Sequence, residues 1–368
     1  MSTPTSTTPP EETGSIKAVS QPISGPATQP GGPTAVAAPR LARHTFTLSD
    51  GHRVGLAVSG RGVPIVVVHG FTAEGFLYAQ TLHRLVSKGF KVVAIDMAGH
   101  GGTQGLPLGG GYLGSYSALM GQAVKELGIR KAIFAGHSMG GRVVAQLAAN
   151  QPNRTIAVLL IDAIVGDQWD LMVNVFRVSP PMLAALGAAL MIDTATTVPV
   201  FRDPTQAAKL GRLLTPTIIG HAMQPWRMVG PALSILRSRS SRHILDALSD
   251  REVPTFVIHG ENDLIVPICT ARSAARRSNG DLTVVKQASH SWLLKDPETL
   301  PAIVSELLEA RLGDAVRQAI TAAGAGSVDE LEAIMYEPDA PILDLTPELT
   351  FTRLNEAHRQ PRYRWKHD

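Results

Sequence analysis

The chain has 368 residues, 44% of them hydrophobic and 18% charged, and a net charge of +3. That length allows one large domain or two small ones, and the composition is that of a globular chain. The small net charge argues against a nucleic-acid binder, the single cysteine, Cys269, excludes an internal disulfide, and no run approaches the roughly 18 apolar residues of a membrane span.

Residues 1–40 are rich in Thr, Pro, Ser and Gly and carry no apolar run of the secretory type. They cannot bury enough surface to fold and are expected to be a disordered extension; a cytoplasmic location is the corresponding expectation. The segments 44–48 and 52–58 alternate around Ser49-Asp50-Gly51, the signal of a hairpin. Residues 64–68 and 91–96 are continuous apolar runs, as in strands covered on both faces, with a helix predicted between them over 78–88. A second helix is predicted over 112–127, a strand over 131–135, a helix over 141–149 and a strand over 155–162. Strands alternating with helices imply a mostly parallel sheet with right-handed crossovers.

The alternation stops after residue 162. Residues 163–250 hold apolar helical segments around 171–177, 181–191, 205–214 and 231–248 and no good strand. It resumes with strands over 255–258 and 282–286 and helices over 297–312.

The strand over 131–135 leads into Gly136-His137-Ser138-Met139-Gly140, and a helix follows. A strand turning sharply into a helix pushes one side chain outward in a strained conformation. Small residues on either side avoid a backbone collision, and the helix start offers free N–H groups to a developing negative charge. A serine hydroxyl needs a base within hydrogen-bond reach, and the base needs an orienting group. His290 and Asp263 each fall in a loop after a strand, where open α/β sheets place functional groups.

These motifs resemble the α/β-hydrolases. The resemblance covers residues 44–312: His69-Gly70-Phe71 after the third strand, Asp96-Met97-Ala98-Gly99-His100-Gly101 after the fourth, the Ser138 elbow, and His259-Gly260-Glu261-Asn262-Asp263. The order Ser…Asp…His is that of the family. The resemblance implies an α/β-hydrolase fold: a mostly parallel central sheet flanked by helices, with a helical cap inserted after the sixth strand. The core would be 41–162 and 251–312, the cap 163–250, and 313–368 a C-terminal extension. It implies Ser138 as nucleophile, His290 as general base and Asp263 as the acid, with Asp162 as its rival because some members place the acid there. Backbone N–H groups of Phe71 and Met139 would form the oxyanion hole. His69 and His100 would brace these loops. Met172, Phe176, Met182, Leu186 and Trp226 are the candidates for an apolar substrate pocket under the cap.

Relatives that act on halides or epoxides through this fold need a carboxylate at the nucleophile; serine forms an acyl-enzyme instead. The expected reaction is hydrolysis of a carboxylic ester with an apolar part. C–C cleavage of diketones, amide or lactone hydrolysis, perhydrolysis and acyl transfer use the same triad, and a ligand-binding or assembly module on this fold would lack it. No metal or organic cofactor is implied, and the expected partner is a small apolar carbonyl substrate.

Other signals are weaker. Gly109-Gly110-Gly111-Tyr112-Leu113-Gly114 follows no strand and is expected to be a loop, not a dinucleotide fingerprint. Residues 237–242, rich in Arg and Ser, suggest a solvated hinge between cap and core. Cys269 is expected to be inert. Ser327 and Glu330 have capping-box spacing. The tail Arg359-Gln360-Pro361-Arg362-Tyr363-Arg364-Trp365-Lys366 is expected to dock on its own domain through Trp365, with contact to a nucleic acid, a lipid headgroup or a neighbouring subunit as the alternatives.

Overall fold

Branched aliphatic runs that cannot be half-exposed form the centre of the molecule. In the computed structural model the described residues are 16–17, 37–39, 41–71, 78–107, 111–196, 211, 215, 219, 223, 226–345, 351–353 and 360–368. The predicted hairpin is β1 (Ala42–Thr47) and β2 (Arg53–Ser59). Then come β3 (Val63–Val68), α1 (Ala79–Val86), β4 (Phe90–Ile95), α2 (Leu113–Glu126), β5 (Ala132–His137), α3 (Met139–Asn150) and β6 (Thr155–Ile161). Every residue of β3, β4 and β5 is buried. That is why these strands read as unbroken apolar runs and not as alternation.

After β6 the chain forms α4 (Asp167–Val178), α5 (Pro180–Ala195), α6 (Trp226–Leu236) and α7 (Arg242–Asp250). The core resumes with β7 (Thr255–Gly260), α8 (Ile268–Ser278), β8 (Asp281–Val285), α9 (Trp292–Lys295), α10 (Thr299–Leu308) and α11 (Arg311–Ala322). The extension adds α12 (Val328–Met335), α13 (Pro341–Asp344) and β9 (Trp365–His367). Along the sheet the labelled strands run β1-β2-β4-β3-β5-β6-β7-β8-β9, and Ile16–Lys17 pairs outside β1. Pairing is parallel from β4 through β8 and antiparallel at both ends. The ends of β3, β5, β6, β7 and β8 therefore open on one edge, and the loops carrying Phe71, Ser138, Asp162, Asp263 and His290 gather there. This is an α/β-hydrolase fold. Among the described residues no helix is long and apolar enough to cross a membrane.

Two expectations change. The helix expected over 231–248 is two, α6 and α7, broken at residues 237–241. Asp170 on α4 explains the break: its Oδ2 accepts from Ser241 N–H at 2.7 Å, Ser241 Oγ at 2.9 Å and Ser240 Oγ at 2.9 Å. Serines so bonded compete with helical backbone bonding. The same contacts correct the hinge at 237–242. Arg237 and Arg239 are exposed, but Arg242 Nε donates to Asp167 Oδ1 at 2.8 Å and Arg142 donates to the Arg239 carbonyl at 2.8 Å, so the segment is tied to α4 and α3. Of residues 1–40, the described ones lie in short antiparallel pairs: Ile16–Lys17 on β1, and Ala37–Pro39 with Phe351–Arg353. The 205–214 helix lies outside the described residues apart from 211, as do Gly109 and Gly110 of the glycine-rich loop.

The tail docks on its own domain. β9 pairs with β8 through Val285↔Trp365 and Thr283↔His367. Trp365 Nε1 donates to Glu306 at 2.7 Å, and the Tyr363 ring meets Trp292 edge-on, centroids 6.3 Å apart. Ser327 and Glu330 close the capping box of α12. Deleting residues 361–368 is expected to lower the melting temperature by about 5 °C, since edge hydrogen bonds and ring packing are lost together. Thermal unfolding checks this, and an unchanged midpoint would mean that β9 contributes nothing to stability.

Candidate active site

β5 ends at His137 and α3 begins at Met139, so Ser138 alone turns the chain, at φ 54 and ψ −117. Such a conformation costs about 1–3 kcal/mol in a residue with a Cβ. It is held by Ser138 N–H donating to the Ile161 carbonyl at 2.9 Å and by Ile164 N–H donating to the Ser138 carbonyl at 3.2 Å. A Cβ on Gly140 would lie 2.3 Å from the Val68 carbonyl oxygen, and one on Gly136 would lie 2.4 Å from that of Gly140. Only glycine fits at either place.

The loop after β3 closes on this elbow. A Cβ on Gly70 would be 3.3 Å from Ser138 Cβ, which places the neighbouring Phe71 beside the elbow. His100 Nε2 donates to the Phe71 carbonyl at 2.7 Å. His69 accepts Met97 N–H at Nε2 (2.9 Å), so its Nδ1–H donates to the Gly70 carbonyl at 2.8 Å. Both histidines thus brace the loop. Met139 is the first residue of α3, where an N–H has no intrahelical acceptor.

Asp263 and His290 meet. His290 Nδ1 lies 2.7 Å from Asp263 Oδ2, and both groups are buried. Asp263 Oδ1 accepts Ile265 N–H and Val266 N–H, each at 2.8 Å. Burial pushes the Asp263 carboxyl up, but the charge and hydrogen bond of His290 outweigh it and hold it below the usual range. Burial alone would lower His290; Asp263 in contact, with Asp162 and Asp193 beyond, raises it to about 9. The His290 ring lies against that of His137, centroids 4.8 Å apart, one residue from Ser138. Among the described residues Ser138 Oγ makes no hydrogen bond to His290; catalytic bonds of this kind are often long without substrate and tighten in the complex.

Asp162 makes no hydrogen bond to His290, although its Oδ2 lies 3.9 Å from His137 Nε2. It is fully buried at φ 46, its Oδ1 accepting Gly260 N–H at 2.8 Å and its Oδ2 accepting Trp292 Nε1–H at 2.7 Å. Burial and the charge of Asp263 push its carboxyl well above the usual range. Its Oδ1 lies 3.7 Å from His259 Nδ1, which has no hydrogen bond, while His259 Nε2–H donates to the Val266 carbonyl at 2.7 Å. Burial keeps His259 neutral. Asp162, His259 and Asp263 have atoms close enough to share a metal ion. All four carboxylate oxygens are already committed to N–H donors, however, so the cluster fits a hydrogen-bonded support better than a ligand set.

Two members of the site carry no recognisable signal in the sequence. Tyr78 Oη–H donates to His137 Nδ1 at 2.9 Å, and His137 Nε2–H donates to the His290 carbonyl at 3.1 Å. Burial holds His137 down to about 3, so it stays neutral and keeps both roles. It ties the elbow to the His290 loop. An apolar cavity of about 20 Å³ adjoins His137, lined among others by Ile65, Tyr78 and Leu293. It is water-sized and holds no substrate. The proposed pocket residues divide. Phe176 is buried with its ring 6.2 Å from Trp169, Met172 and Leu186 are half-buried, Met182 is exposed, and the Trp226 side chain lies outside what is described.

The sequence profile of the serine aminopeptidase S33 family matches residues 62–298. A putative non-heme haloperoxidase of Mycobacterium phage D29 is 33% identical over 77% of this chain and 100% of its own length. A non-heme haloperoxidase of Rhodococcus erythropolis is 27% identical over 72% of this chain and 98% of its own. Among solved structures, a thermophilic esterase from Thermogutta terrifontis is 22% identical with a TM-score of 0.55, covering 73% of this chain and 98% of that one. Matched over most of its core and carrying the elbow, loops and sheet order of that fold, the chain is an α/β-hydrolase enzyme and belongs to the serine aminopeptidase S33 family.

Proposed function

We propose that the enzyme hydrolyses a carboxylic ester with an apolar part through an acyl-enzyme on Ser138. The observation that carries this reading is the buried 2.7 Å contact of His290 Nδ1 with Asp263 Oδ2, one residue contact away from a serine held at positive φ. With Nδ1–H committed to Asp263, Nε2 is left as the base. It takes the Ser138 proton as the hydroxyl attacks the carbonyl, and the oxyanion is received by Phe71 and Met139 N–H. His290 then protonates the leaving alcohol, and a water deprotonated by the same nitrogen releases the acid. Half-buried Met172 and Leu186, with buried Phe176, support an apolar substrate.

The test is a series of p-nitrophenyl esters of increasing chain length, together with labelling by a fluorophosphonate. A chain that cleaves none of them and takes no label favours a binding module. The pH dependence follows from His290. The base must be neutral, and its pKa is raised, so kcat/KM is expected to rise with pH through a limb well above the ordinary 6.5, towards about 9. A limb at or below pH 6.5 would contradict this electrostatic reading of the site.

One observation favours a second reading: two relatives are named non-heme haloperoxidases. Hydrogen peroxide attacking the same acyl-enzyme would release Ser138 and a peracid. Formation of peracid from an ester and peroxide, lost in Ser138→Ala, would establish that activity beside hydrolysis.

A further inference from the structure

Helix α5 of the cap is unusual in its charge. Over Pro180–Ala195 it carries one charged residue, Asp193, and that residue sits in the last turn. A carboxylate there opposes the helix dipole, so local helix stability does not explain it. Its contact does. Asp193 Oδ2 accepts the backbone N–H of Ser291, the residue after His290, at 2.9 Å. Two further bonds strengthen the junction: Lys295 Nζ reaches Thr196 Oγ1, just past α5, at 3.4 Å, and Ser289 Oγ, just before His290, at 3.2 Å. Both neighbours of His290 are thus tied to the end of one cap helix.

Burial holds that helix only in part, through half-buried Leu183, Leu186, Ala189 and Leu190. None of the side chains of α5 is fully buried, and Met191 and Ile192, beside Asp193, are 69% and 64% exposed. Elements with little buried apolar surface are the ones that open first. The polar strap is therefore where the cap and the proposed base meet.

We propose that Asp193 is a positioning residue that couples the cap to His290. With α5 down, its carboxylate fixes the Ser291 N–H, and with it the His290 loop, and adds a negative charge facing the imidazolium that forms when Ser138 gives up its proton. With α5 lifted, both are withdrawn, so the base is strongest only when the cap is closed over substrate. The charged and titratable groups around His290 are Asp263 after β7, Asp162 after β6, His259 on β7, His137 on β5, Lys295 on α9 and Asp193 on α5. Of these, Asp193 alone belongs to the cap. The proposal rests on His290 being the base, and its test is kept independent of turnover.

The test uses the full chain carrying Ser138→Ala, with Asp193→Ala and Asp193→Asn added separately. Asparagine keeps an oxygen for the Ser291 N–H and loses the charge; alanine loses both. Amide hydrogen exchange across 180–196 and 289–295 is expected to quicken about tenfold with Asp193→Ala and to stay near the parent with Asp193→Asn. The imidazole of His290, followed by NMR titration, is expected to fall in pKa by about half a unit or more with either substitution. Exchange unmoved by Asp193→Ala, or a titration unmoved by both, overturns the proposal. In the chain with Ser138 restored, Asp193→Ala should lower kcat more than it raises KM. If the wild type cleaves no ester while exchange and titration respond as stated, the ester reading fails and the latch stands.

Discussion

Ser138→Ala is expected to lower turnover of a p-nitrophenyl ester by about 10⁴-fold or more and to abolish fluorophosphonate labelling. The substitution removes one oxygen from a side chain that is 8% exposed, and that oxygen makes no hydrogen bond among the described residues. The fold should therefore be unaffected, and the melting temperature should stay within about 2 °C of the parent. What disappears is the atom that becomes covalently bound. Residual activity from the oxyanion donors alone would remain far below the parent rate. Undiminished turnover in the variant would end the proposal of an acyl-enzyme on Ser138.

Asp263→Asn is expected to cost about 10⁴-fold in kcat, and Asp162→Asn no more than about tenfold. In Asp263 the oxygen facing His290 Nδ1 becomes, in one amide orientation, an NH2 that forces the imidazole into the wrong tautomer. In the other orientation, the NH2 opposes the N–H groups of Ile265 and Val266. Either way the charge that holds His290 high is gone, so the limb of the pH profile should also move to lower pH. Asp162 makes no bond to His290. Its replacement leaves one oxygen for two buried donors, Gly260 N–H and Trp292 Nε1–H, which costs about 1–3 kcal/mol of stability. Asp162→Asn should thus show in thermal unfolding and Asp263→Asn in turnover. A larger loss of turnover at Asp162 would reverse the assignment.

The strands and the elbow were legible because they obey local rules. A strand buried on both faces must be apolar throughout, as residues 64–68 and 91–95 are. A residue at φ 54 between two close backbone approaches leaves glycines at 136 and 140 as its trace. The break between α6 and α7 was not legible, because it depends on Asp170, some 70 positions away, offering Ser240 and Ser241 a better bond than the helix. Between Asp162 and Asp263 the resemblance favoured Asp263, but no local rule explained why. Both are acids just beyond a parallel strand, and only the turn at residues 263–266 aims one of them at His290.

Chemical capacity was therefore written in one dimension: which residue can be a nucleophile, which a base, and the sheet that would carry them, because each depends on side-chain type and on periodicity over a few residues. How His137 and Tyr78 lock the elbow to the His290 loop, how a turn aims Asp263 at the imidazole, and where Asp193 of α5 lands were settled by the packed chain. Each is a contact between segments far apart in sequence, made only when burial brings polar groups together and leaves them no partner but one another.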